Sequence, residues 1–67
     1  MLSKENVIVS AKAVAAFIFE QNSVDIVGVS LQDAITECWE FDSGEICQVM
    51  AELIKMGYSN PLTSNKL

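Results

Sequence analysis

One segment of the sequence, residues 6–21, has the pattern of a helix that is apolar on nearly every side. Its spacing predicts an α-helix from Asn6 to Gln21, with Ser3 or Asn6 as the N-cap. A helix of this kind must be covered on more than one face, either by the rest of the chain or by another subunit. The arc expected to face the core contains Val7, Ile8, Ala11, Val14, Ala15, Ile18 and Phe19. The apolar residues outside it are Val9, Ala13, Ala16 and Phe17.

The chain that has to cover this helix is short. Its 67 residues, of which 51% are apolar, suffice for one small domain with few interior positions. Because surplus apolar side chains must then lie at an interface, we expect a homodimer that uses Val9, Ala13 and Phe17, or a protein that binds a target through this face. Complete coverage by the other elements stays open. The longest apolar run, residues 13–19, is too short to cross a bilayer. We therefore expect a cytoplasmic protein without membrane contact.

Two further helices are predicted after a β-branched segment. Residues 25–29 favour a short strand or extended arm. The second helix is expected to begin after Ser30, with Asp33 in a capping-box-like position, and the third after Asp42 or Ser43. Their buried stripes are expected to be Leu31, Ala34, Ile35 and Cys38, and then Ile46, Val49, Met50, Leu53 and Ile54. Gly57 should supply a left-handed residue after the third helix.

The stretch SLQDAITECWEFDSGEICQVMAELIKMGYSN, residues 30–60, resembles the helix-turn-helix core of winged-helix regulators. The predicted fold is mainly α: a three-helix, helix-turn-helix-like domain over residues 1–59 with one short extended segment between helices 1 and 2. Residues 60–67 are expected to be a polar tail that frays. The resemblance implies DNA contacts by the third helix, for which Gln48 and Lys55 are the candidates. The chain departs from that family in its acidic third helix and in the missing wing.

The charged residues argue against several classes of function. Nine acids stand against four lysines, without arginine or histidine, and give a net charge of -5. Nucleic-acid binding depends on cations at phosphates, and catalysis has few suitable groups here, so we expect neither an enzyme nor a cofactor. Cys38 and Cys47 are too few for a zinc site. We expect two buried free thiols; a disulfide is the alternative.

An acidic surface beside aromatic residues points to protein binding. Asp33, Glu37 and Glu40 are expected on the outer face of the second helix. Asp42 and Glu45 extend this acidic ridge. Trp39 is interpreted as a lid on the core, and Phe41 as an exposed anchor together with Phe17.

The predicted function is that of a small acidic, non-enzymatic interaction module. It would act as a regulator or inhibitor by binding a protein with a basic surface, and its acids could take the place of nucleic-acid charge. In this it resembles small acidic inhibitors from phages and mobile elements. The alternative is a minimal dimeric helix-turn-helix DNA-binding regulator that uses Gln48 and Lys55.

Overall fold

Three α-helices make up most of the computed structural model, which describes residues 1–21 and 27–63. They are α1 (Lys4–Gln21), α2 (Leu31–Cys38) and α3 (Ser43–Lys55). The described residues contain no strand, so the prediction of a mainly α, three-helix domain is confirmed. Of the extended segment predicted over 25–29, residues 25 and 26 lie outside the described residues. Val27 and Gly28 form a turn, and Val29 follows it in a non-helical conformation.

The helix α1 begins two residues earlier than predicted because Ser3 is the residue that caps it. The Ser3 Oγ accepts a hydrogen bond from the Asn6 backbone N–H at 3.2 Å. The Ser3 carbonyl accepts from the Val7 N–H at 2.9 Å, which closes the first turn. Of the two predicted N-cap residues, Ser3 and Asn6, the cap is therefore Ser3. Its side chain pairs with a backbone N–H group that the first turn would otherwise leave unpaired.

The core lies between the three helices, which all pack against one another. Each helix contributes one stripe, and burial of each Leu, Ile or Val stabilises the fold by roughly 1.5–3 kcal/mol. The buried apolar residues are Val7, Ala11, Val14 and Ile18 of α1, Leu31, Ala34 and Ile35 of α2, Ile46, Val49 and Leu53 of α3, and Leu62 beyond the helices.

Two apolar residues assigned to these stripes are exposed instead. The side chain of Phe19 is 73% exposed and that of Ile54 is 52% exposed. Each directly follows a fully buried residue, Ile18 or Leu53. Because successive residues of an α-helix are turned by about 100°, the side chain after the centre of a buried stripe points away from it. The sets of residues predicted to face the core in α1 and α3 were therefore each too large by one residue.

The ends of α2 and α3 follow the predicted capping chemistry. Ser30 Oγ accepts from the Asp33 N–H at 3.1 Å and caps α2. Asp42, rather than Ser43, caps α3. The Gly57 N–H donates to the Ile54 carbonyl at 3.0 Å, and the next N–H, of Tyr58, donates to the Leu53 carbonyl at 3.1 Å. These two hydrogen bonds together form the Schellman motif, which requires a positive φ such as the 107° that Gly57 adopts.

The segment after α3 belongs to the packed domain. Leu62 is only 1% exposed, and its backbone N–H donates to the Val29 carbonyl at 2.9 Å. Its carbonyl accepts from the Gly28 N–H at 2.6 Å. Upstream of it, Asn60 Oδ1 accepts from the Leu31 N–H at 3.0 Å, and so provides a second cap for α2.

We refer to these contacts of Asn60 and Leu62 with residues 28–31 as the C-terminal clasp. The prediction of a polar tail from residue 60 is therefore wrong for residues 60–63. Residues 64–67 lie outside the described part of the chain.

Candidate protein-binding surface between α2 and α3

Trp39 stands at the surface immediately after α2. It is the C-cap residue, with extended backbone angles of φ −152° and ψ 159°, and its N–H donates to the Ile35 carbonyl at 3.1 Å. In an extended chain, side chains two residues apart lie on the same side. The rings of Trp39 and Phe41 accordingly meet, with centroids 5.8 Å apart and planes tilted by 35°.

The two aromatic residues have the opposite roles from those predicted. Trp39 is 42% exposed, whereas Phe41 is half-buried and packs against the core. The interpretation of Trp39 as a core lid and Phe41 as an exposed anchor is therefore wrong. The ring of Phe41, which packs against the core, is thus the neighbour of the exposed Trp39 ring.

Three exposed carboxylates lie on the same short stretch as Trp39. Glu37 is in the last turn of α2, Glu40 lies between the two aromatic residues, and Asp42 precedes α3. We call Glu37, Glu40 and Asp42 the acidic rim. Because α2 ends at Cys38, Glu40 is not on the helix, and the predicted ridge is wrong at Glu40; Asp33 and Glu37 lie one turn apart on α2, as predicted. Asp33 is exposed in the first turn of α2, away from Trp39 in the chain.

Asp42 and Glu45 are engaged with each other at the start of α3. The Asp42 carboxylate accepts from the Glu45 N–H at 2.8 Å, and the Glu45 carboxylate accepts from the Asp42 N–H at 3.1 Å. Glu45 also lies 3.7 Å from the Met1 amino group. This reciprocal capping box explains both acids by the fold alone. Asp42 remains exposed and adds charge to the rim, while Glu45 is half-buried.

Of the two candidate DNA contacts, the Gln48 side chain is engaged in the fold, whereas the Lys55 side chain is exposed. The Gln48 amide is half-buried and makes two hydrogen bonds of 3.1 Å with the Leu2 backbone, one to its carbonyl and one from its N–H. Lys55 lies 3.8 Å from Glu52, one turn away on α3. A base or phosphate contact by Gln48 would require the loss of both hydrogen bonds to Leu2, so its amide has a structural role here.

The residues predicted for a dimer interface lie on one stripe of α1, four residues apart, but they differ in exposure. Val9 is 64% exposed and Ala13 is half-buried. Phe17 is half-buried and packs against the core, so a substitution there would test folding rather than association.

Both cysteines are free thiols, but only one of them is shielded. Cys38 is half-buried and Cys47 is exposed, so the prediction of two buried thiols is wrong for Cys47. Burial raises the pKa of Cys38 above the ordinary thiol value, and the negative charge of Glu37 raises it further. A raised pKa leaves less of the reactive thiolate at neutral pH.

We expect iodoacetamide to alkylate Cys47 several-fold faster than Cys38 at neutral pH, because Cys38 has both less access and less thiolate. The rates would be measured by mass spectrometry of peptides after timed quenching. The difference should be smallest above the Cys38 pKa, where that thiol is largely ionised and only its lower accessibility still slows it. Labelling in denaturant serves as the control, where the two rates should converge. Equal rates in the folded protein would contradict the burial of Cys38.

Other kinds of site find no support in the described residues. In residues 1–21 and 27–63, no three Cys, Asp or Glu side chains are grouped so that they could hold a metal ion. No described helix has the length and apolar character needed to span a membrane. Comparisons of the chain with models of protein families, with curated proteins and with solved structures gave no match. The residues around Trp39 are therefore the strongest guide to function.

Proposed function

We propose that this protein is a small acidic interaction module that binds another protein through Trp39 and the acidic rim. The observation that carries the proposal is the position of Trp39, which is 42% exposed and whose ring contacts that of Phe41, a residue packed against the core. Tryptophan is among the residues that contribute most to the affinity of protein interfaces when a partner covers it fully. The exposure of the single tryptophan, beside a phenylalanine that packs against the core, supports such a role.

The charge around Trp39 supports a partner with a basic surface. Glu37, Glu40 and Asp42 are all exposed, and the chain as a whole carries a net charge of -5. Acids around an apolar anchor favour a partner with an apolar pocket edged by lysine or arginine. Surfaces that bind nucleic-acid phosphates have that positive edge, so we propose that the rim occupies such a surface on a nucleic-acid-binding protein and acts there as a regulator or inhibitor.

The test captures partners from a lysate of the source cells on four immobilised forms of the protein: wild type, a control variant, a Trp39 variant and a charge-reversed variant. Wild type and Met56→Ala should retain the same partner, because Met56 is an apolar residue of similar exposure, 39%, outside the surface around Trp39. Trp39→Ala should weaken binding of that partner by about 30-fold, which corresponds to the ~2 kcal/mol of a hot-spot residue. Glu37→Lys combined with Glu40→Lys should slow association and reduce its dependence on salt.

Two results would contradict this function. Retention of the same partner by wild type and Trp39→Ala with equal affinity would remove Trp39 as the anchor. Salt-sensitive binding of the purified wild type to generic duplex DNA would instead support the DNA-binding alternative, and Lys55→Ala should then weaken it. Displacement of the captured partner by duplex DNA is the result expected if the rim covers a phosphate-binding surface.

A further inference from the structure

We infer that the outer face of α1 is the contact surface between two copies of this chain. This outer face consists of Val9, Ala13, Ala16 and Phe19, together with the charged residues Glu5, Lys12 and Glu20. Val9 is 64% exposed and Phe19 is 73% exposed, and Ala16 between them is exposed as well. The inference does not rest on the proposed function, because this face contains none of the residues around Trp39.

The distribution of charge identifies a second copy as the occupant. The helix α1 carries two of the four lysines and two of the nine acids, so it is neutral, and the whole net charge of -5 lies outside it. Two copies that approached through the regions of α2 and α3 would bring surplus acids together, and like charges at an interface are costly. An approach through α1 avoids this repulsion. It also joins identical apolar patches, as an interface with twofold symmetry requires.

The order of residues along the outer face favours an antiparallel pair. Ala13 and Ala16 lie near its centre, and small side chains there let two helices approach closely. Lys12 lies one turn before Ala16, and Glu20 lies one turn after it. When two copies are related by a twofold axis near Ala16, Lys12 of each copy comes opposite Glu20 of the other, so the face is complementary to itself in charge. Phe19 then packs towards the alanines of the second copy.

The first test measures mass by sedimentation equilibrium over a range of protein concentrations. Wild type should reach twice the monomer mass, and Ala16→Glu should remain a monomer. Ala51→Glu is the matched control, because Ala51 is also an exposed alanine within a helix, but on α3. It should dimerise as wild type does. Wild type at the monomer mass throughout, or an equal effect of the two substitutions, would overturn the inference.

The second test examines the charge pairing. Lys12→Glu and Glu20→Lys each turn two attractive pairs into two repulsive ones, so each variant alone should self-associate about tenfold more weakly or worse. An equimolar mixture of the two variants places glutamate opposite lysine at both ends and should recover the dimer mass. A mixture that stays monomeric, or single variants that dimerise like wild type, would overturn the antiparallel arrangement. Both residues are exposed, so neither substitution disturbs the core.

Discussion

Replacement of Leu62 by alanine is expected to lower the free energy of unfolding by about 2–5 kcal/mol, the range measured for leucines that are fully buried. Leu62 is 1% exposed and completes a core to which all three helices contribute. Because the folded state of a domain is favoured by only ~5–15 kcal/mol, and small domains lie near the lower limit, this one change should leave part of the population unfolded near room temperature. Urea denaturation followed by far-UV circular dichroism would give the difference.

Ile54→Ala is the matched control for Leu62→Ala. It removes a similar volume from a side chain that is 52% exposed, so its effect should stay below about 1 kcal/mol. Equal losses for the two variants would mean that residue 62 does not contribute to the core. A chain truncated after residue 59 should be at least as unstable as Leu62→Ala, because it also lacks Asn60, which caps α2.

Replacement of Gln48 by alanine is expected to cost about 1–3 kcal/mol, because two hydrogen bonds to the Leu2 backbone are lost together. If Gln48 were a reader of DNA, its removal would weaken DNA binding and leave stability unchanged. Thermal unfolding monitored by circular dichroism distinguishes these cases. Gln32→Ala is the control, since Gln32 is an exposed glutamine on α2 and its loss should change stability by less than about 0.5 kcal/mol.

The helices could be predicted from the sequence because their signals are local. Ser30, Asp42 and Gly57 act within a few residues of the ends they define, and the apolar stripes follow from the helical repeat alone. The same local signal could not decide between Ser3 and Asn6 for the start of α1. It also overstated burial at Phe19 and Ile54, where a single residue step turns the side chain out of the core.

The features that sequence reasoning missed depend on contacts between distant residues. Leu62 is one apolar residue between Pro61 and Thr63, and no periodicity marks it as core; its burial follows from pairing with residues 28 and 29. Gln48 has the position of a surface residue on α3, but its amide binds a backbone 46 residues away.

The relative position of the Trp39 and Phe41 rings depends on the residue at which α2 ends. One more turn of helix would have placed the two rings on different sides, whereas the extended backbone after Cys38 places them on the same side. A signal for this end was present in the run Trp39–Glu40–Phe41, which alternates apolar and charged residues as an extended segment does.

The C-terminal clasp has a consequence for the cooperativity of the fold. Because the clasp joins the residues before α2 to those after α3, opening it removes the Asn60 cap of α2 and exposes Leu62 from the core in a single event. Local opening of this segment therefore requires much of the free energy of global unfolding, and the backbone amide of Leu62 should exchange its hydrogen about as slowly as the amides of the helical core. Residues 60–62 should thus unfold with the domain as one unit, and a protease should cleave there chiefly in molecules that have already opened.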